Sequence, residues 1–164
     1  MFVNKELTGV LPFYKGWDGY QEQLINIVTP LSAAQLALRT APHLRSIGEN
    51  IAHIIATRVG WFHGLMGEGN EALGVLEAWD EQEAPVRSAD ELLRGLAATW
   101  QMVQDALAHW TPAELEDIFE GTHNGRSYHL RRQWVIWHII EHDLHHGGEV
   151  SFTLGTHQLA ALDI

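Results

Sequence analysis

Hydrophobic positions along this chain return mostly at helical spacing. Between residues 7 and 28, Val10, Leu11, Tyr14, Trp17, Leu24, Ile25 and Val28 fit one helix face. Gly16 and Gly19 each weaken that helix by about 1 kcal/mol against Ala, and Pro12, accepted in a first turn, marks an alternative start. Pro30 ends the element, and Ser32-Ala33-Ala34-Gln35 has the form of a capping box opening a short helix to Arg39. A second box, Ser46-Ile47-Gly48-Glu49, opens a long helix that closes at Met66-Gly67. Its stripe is Ile47, Ile51, Ile54, Ile55, Phe62 and Leu65, with Trp61 at the margin. Arg58 falls on this stripe, so it is either a buried, paired cation or a sign that the stripe is displaced. A third box, Ser88-Ala89-Asp90-Glu91, opens a helix to Trp110 with Leu92, Leu93, Leu96, Trp100, Val103 and Leu107 on one face. Thr111-Pro112-Ala113-Glu114 then signals a short helix to Ile118. Asn124-Gly125, flanked by Ile118-Phe119 and Tyr128-His129-Leu130, predicts a small hairpin or extended loop. The last helix is expected over Arg131 to Thr153, weakened at Gly147-Gly148, with Gly155 ending it.

Several long amphipathic helices without a convincing sheet predict an all-α fold, a four-helix bundle in which metal sites are built from side chains on facing helices. The connection from Gly67 to Arg87 holds six acids between Glu68 and Glu83. We expect a solvated segment with a short helix over Glu71 to Trp79, or a mobile lid. It is long enough to cross the about 30 Å of a 20-residue helix, which permits the second and third helices to run parallel. A length of 164 residues predicts a single domain spanning 1–164.

Net charge is −11 with no basic stripe, which argues against nucleic acid and against anionic membrane as partners. No apolar run approaches the roughly 18 residues of a membrane span. The start Met1-Phe2-Val3-Asn4-Lys5-Glu6 lacks the form of a secretory signal, so a cytoplasmic protein is expected. The absence of cysteine excludes disulfides, thiolate zinc sites and a thiol nucleophile of the protein's own.

Histidine changes the picture most. Four of eleven histidines, His138, His142, His145 and His146, fall within nine residues of the last helix. At about 100° per residue they share roughly a quarter of its circumference. Residues four apart stack on a helix face, so His138 with His142, or His142 with His146, would aim two imidazoles at one ion. A third ligand must come from elsewhere. His53 lies off the apolar stripe of the second helix, on a small and polar face with Asn50, Thr57, Gly60 and Gly64, and is the best candidate. Glu141 and Asp143 either orient ligand imidazoles or sit on a solvated helix face, His138, His145 and Glu149 are neighbours of the site, and Trp61 and Trp137 are candidates for a pocket wall. The match of His138 to His142 to H-x-x-E-H raises metal-assisted hydrolysis, with Glu141 or Glu149 as base.

His53 after Asn50-Ile51-Ala52, together with Trp137-His138-Ile139-Ile140-Glu141-His142-Asp143-Leu144-His145-His146-Gly147-Gly148-Glu149, resembles the DinB / YfiT superfamily of metal-binding four-helix bundles over nearly the whole chain. The resemblance implies an up-down-down-up bundle, a divalent ion (zinc or nickel, or iron) on His53, His142 and His146, and frequent homodimers. Some members resemble S-transferases or isomerases that use thiols such as bacillithiol or mycothiol. That implies a metal-dependent thiol S-transferase acting on a small electrophile, the thiol coming from a cofactor. The alternative it leaves open is a non-catalytic stress or damage-response module whose ion is structural. The family often carries Gln where Glu149 stands, a departure that would add a carboxylate near the metal.

Overall fold

The structure, a computed structural model, describes residues 9–123 and 125–162. The chain enters through a 3-10 turn, Leu11–Tyr14, with Pro12 near its start, and continues as α1, Lys15–Val28. The expected start at Leu7 lies outside the described residues. The capping box at Ser32 and Gln35 forms as read, but α2 covers only Ala33–Leu36. Arg39 has already left the helix to hold Glu49 at 2.6 Å. That contact fastens the connection to the next cap, where Ser46 and Glu49 open α3, Ile47–Arg58.

α3 does not run on as a regular helix. Over Val59–Leu65 it widens into a π-helix, closed by Gly67 at φ +76°. The wider turn buries Phe62 fully while Trp61 stays half-buried at the side. The acidic connection carries its predicted helix, but as a 3-10 element, Glu71–Asp80, capped by the Asn70 side chain on the Ala72 N–H at 3.0 Å. α4, Ala89–His109, opens on Ser88 and Glu91 as predicted.

The segment after Thr111 is shorter than its signal suggested. Thr111 and Glu114 cap each other, yet only a 3-10 turn, Glu114–Glu116, forms. Ile118 cannot extend it because it is already paired to Arg131 in a hairpin. The hairpin joins β1, Ile118–His123, to β2, Arg126–Arg131, antiparallel. Gly125 has φ +74° in the two-residue loop; Asn124, half of the sequence signal, lies outside the described residues. α5, Arg132–Thr156, runs straight through Gly147-Gly148.

Two apolar clusters fix the helix directions. One joins Leu24 and Val28, Ile47 to Ile55, Leu92 and Leu96, and Val150 and Leu154. The other joins Trp17, Phe62, Trp100 to Leu107, and Ile136 and Ile139. α1 and α5 therefore run from the second cluster to the first, and α3 and α4 run the other way. This is the up-down-down-up order. Among the described residues no helix is long and apolar enough to cross a membrane.

Arg58 is the buried, paired cation of the two alternatives. It donates from Nε to Asp143 Oδ2 at 3.0 Å, from one terminal nitrogen to the same oxygen at 2.6 Å, and from the other to Gln21 Oε1 at 2.8 Å. Trp17 adds its indole N–H to Asp143 Oδ2 at 2.7 Å. Asp143 is fully buried. It therefore orients no imidazole and does not sit on a solvated helix face; it ties α5 to α3 and α1.

Candidate metal centre

α3 and α5 lie side by side, and the Arg58–Asp143 pair sets their register. His53 stands on α3 five residues before Arg58, and His142 stands on α5 next to Asp143. This register brings His53, His142 and His146 together. Their ring centroids lie 4.4 to 4.6 Å apart. One ligand nitrogen from each falls within 4.8 Å of the others.

The outer nitrogens decide which atoms face inward. His53 Nδ1 lies 2.6 Å from Asp80 Oδ2, and His146 Nδ1 lies 2.8 Å from Glu149 Oε2. A carboxylate only accepts, so each Nδ1 carries the proton and each Nε2 keeps its lone pair. His142 Nε2 sits 2.9 Å from His53 Nε2 and 3.3 Å from the Thr57 hydroxyl. Two nitrogens on one ion at about 2.05 Å stand about 2.9 to 3.3 Å apart in octahedral or tetrahedral geometry. The spacing of His53 and His142 already falls in that range, so the three-histidine group could hold a metal ion.

The protonation states agree with such a donor set, because an imidazole must be neutral to ligate. Burial pushes the His142 pKa down to about 3, and neighbouring His146, His53, His138 and His145 add to the shift. Burial also lowers that of His146, opposed by its bond to Glu149.

A cleft of about 850 Å³ opens beside His53. Ala56, Thr57 and Gly60 of α3 line it, with Trp61 and Leu65 of the π-helix. Glu77 and Asp80 of the acidic connection, Arg126, Ser127, Tyr128 and Leu130 of β2, and Trp134 of α5 complete the lining.

The remaining candidates separate clearly. Glu149 orients His146, the role expected of Glu141 or Asp143. His145 is 65% exposed and reaches only Glu149, at 3.5 Å. His138 stands one turn from His142, stacked on Trp134 at 5.0 Å with Trp61 edge-on at 5.0 Å. Glu141 is 64% exposed, 3.9 Å from His138 Nδ1, and touches no member of the triad. Trp61 lines the cleft, whereas Trp137 is 60% exposed and does not. The aromatic wall is Trp134 instead, which lies four residues before His138 on the same helix face, a spacing visible in the sequence. Asp80 is the one contact of the triad that nothing in the sequence singles out, since it is one of six acids in the run. That run is accordingly more than a solvated connection. Asp80 reaches His53, Glu77 lines the cleft, and Glu68 accepts from the Trp110 indole at 3.0 Å.

The fold and the triad define a class, helical bundles able to hold one ion between imidazoles of two neighbouring helices. The chain belongs to the DinB superfamily, whose profile matches residues 17–150. Among solved structures it is similar to the crystal structure of a DinB-like protein from Bacillus cereus ATCC 10987. The TM-score is 0.72 at 19% identity, covering 96% of this chain and 99% of that one. At that identity the likeness carries the fold. No curated protein matches the chain.

Proposed function

We propose that the protein is a metal-dependent thiol S-transferase. His53, His142 and His146 hold a divalent ion, zinc or nickel before iron, and a low-molecular-weight thiol meets an electrophile in the adjoining cleft. One observation carries this reading: the three imidazoles are only partly buried, and one of them, His53, lines an open cleft. An ion with three imidazole ligands keeps open positions and acidifies a water or thiol bound there. The chain supplies the rest. Asp80 and Glu149 fix the tautomers of His53 and His146, and the Thr57 hydroxyl stands beside His142 Nε2. Trp61, Tyr128 and Trp134 offer apolar surface against which a small electrophile can pack.

A purely structural ion has less behind it, because Arg58 and Asp143 already join α3 to α5 without one. Hydrolysis has least, since Glu141 points away and Glu149 is engaged by His146. The test is elemental analysis of the purified protein, then turnover of 1-chloro-2,4-dinitrobenzene with bacillithiol and with mycothiol. Bound metal with no turnover by either thiol would remove the catalytic reading.

A further inference from the structure

The cleft has a chemical asymmetry that the triad does not explain. Strand alternation puts Arg126, Tyr128 and Leu130 on one face of β2, and all three line the cleft. In this acid-rich chain Arg39, Arg45, Arg58, Arg87, Arg131 and Arg132 each hold a carboxylate. Among the described residues Arg126 and Arg94 hold none, and of these two only Arg126 lines the cleft. Of the acids that line the cleft, Asp80 is taken up by His53 and Arg45, and Glu77 lies against Gly60. Trp61, Tyr128 and Trp134 line the same cleft. Trp134 is 44% exposed, and of the large apolar side chains exposed on α5 (Trp134, Trp137, Leu144 and Phe152) it is the one that lines the cleft. An indole and a phenol ring offer flat faces to an aromatic ligand, and a guanidinium offers the forked donors that match a carboxylate.

We propose that the cleft takes an aromatic carboxylate, its ring packed against the cleft-facing surfaces of Trp61, Tyr128 and Trp134 and its carboxylate on Arg126. This rests on the reading of the cleft as the small-molecule site of the proposed function and names the class of molecule it selects. The ligand spans the cleft from the hairpin toward His53, which places its far edge beside the triad.

The test is isothermal titration with three probes of one shape: 2-naphthoate, 2-naphthylmethanol and 2-naphthylmethylamine. Each is titrated into chelator-treated protein and into protein with one equivalent of zinc. Naphthoate is expected to bind about tenfold tighter than the alcohol in both states, the worth of a charge-assisted contact at a partly exposed site. Arg126→Gln should erase that preference, Arg94→Gln, which lies off this cleft, should keep it, and Trp134→Ala should weaken all three probes. Melting curves check that each variant is folded. Equal affinities, a preference that survives Arg126→Gln, or tightest binding of the amine would overturn the proposal, the last by assigning recognition to Glu77. A preference seen only with zinc would overturn it too, by placing the carboxylate on the ion. The chelated arm judges the cleft even if the protein proves to hold no metal, so the two readings can fail separately.

Discussion

Asp80→Asn separates a tuned metal site from three histidines that merely touch. In the native chain Asp80 Oδ2 lies 2.6 Å from His53 Nδ1 and Oδ1 lies 3.3 Å from Arg45. The carboxylate fixes the tautomer that leaves the His53 Nε2 lone pair free to ligate, and its charge strengthens that nitrogen's bond to a cation. Asparagine keeps the shape and loses the charge. Loss of such a partner lowers metal affinity by 10- to 100-fold as a rule. The Asp80 side chain is 32% exposed, so water screens part of the effect, and the lower end applies, about tenfold or ~1.4 kcal/mol. The assay is zinc competition against a chromophoric chelator, with the melting temperature of the metal-free protein measured in parallel. Arg45→Gln is the control. Its pair with Asp80 is 43% exposed on the arginine side and worth at most about 1 kcal/mol, so it should leave zinc affinity within twofold. A zinc dissociation constant for Asp80→Asn equal to the native one would refute the reasoning, because the contact would then orient the connection and not the ligand.

Other perturbations probe the frame around the site. Metal-free protein should lose stability as pH falls below the ordinary histidine value of 6.5 toward about 3. Over that window the unfolded chain protonates residue 142 and the folded chain resists, at a slope of at most about 1.4 kcal/mol per pH unit, and urea melts of His142→Gln should show a shallower fall. Asp143→Ala leaves the Arg58 charge buried without its partner and should cost about 3–5 kcal/mol, whereas Arg58→Met with Asp143→Leu should cost far less, read from the same melts. Gly147→Ala puts a Cβ 2.0 Å from the Tyr20 hydroxyl and should destabilise by about 1–3 kcal/mol. Tyr20→Phe should restore much of that loss, since the hydroxyl makes only a 3.4 Å bond to the Leu144 carbonyl.

Helix starts were legible because their signal is local. Ser32, Ser46 and Ser88 cap with the Gln or Glu three residues on, and each contact lies within one turn of chain. The triad was legible for a related reason, since i,i+4 spacing on α5 and a polar face on α3 are properties of single helices. Choosing His142 with His146 over His138 with His142 needed the family, because helix geometry treats the two pairs alike. What the sequence could not show depends on distant pairing. Asp80 is reached only once the connection folds back over α3. Asp143 looked like any acid on a mostly polar helix until Arg58, Trp17 and Gln21 enclosed it. The π-helix at Val59–Leu65 leaves no pattern of its own, because Phe62 and Leu65 also fit an ordinary helical stripe.

The buried ion pair has a consequence for how such a site can exist. Ile47, Ile51, Ile54 and Ile55 face aliphatic neighbours, and aliphatic packing tolerates rearrangement at small cost. On apolar contacts alone α3 could shift by a turn against α5, about 5.4 Å, and still bury its stripe. That shift would carry His53 past both partners. Arg58 and Asp143 forbid it, because a one-turn slip leaves two charges unpaired in the core, a penalty of several kcal/mol. Asp143 adjoins His142, and Arg58 adjoins Thr57, whose hydroxyl lies 3.3 Å from His142 Nε2. The residues that set the register are thus the chain neighbours of the residues that use it. A positional error in the pair therefore has almost no length of chain over which to grow before it reaches the imidazoles.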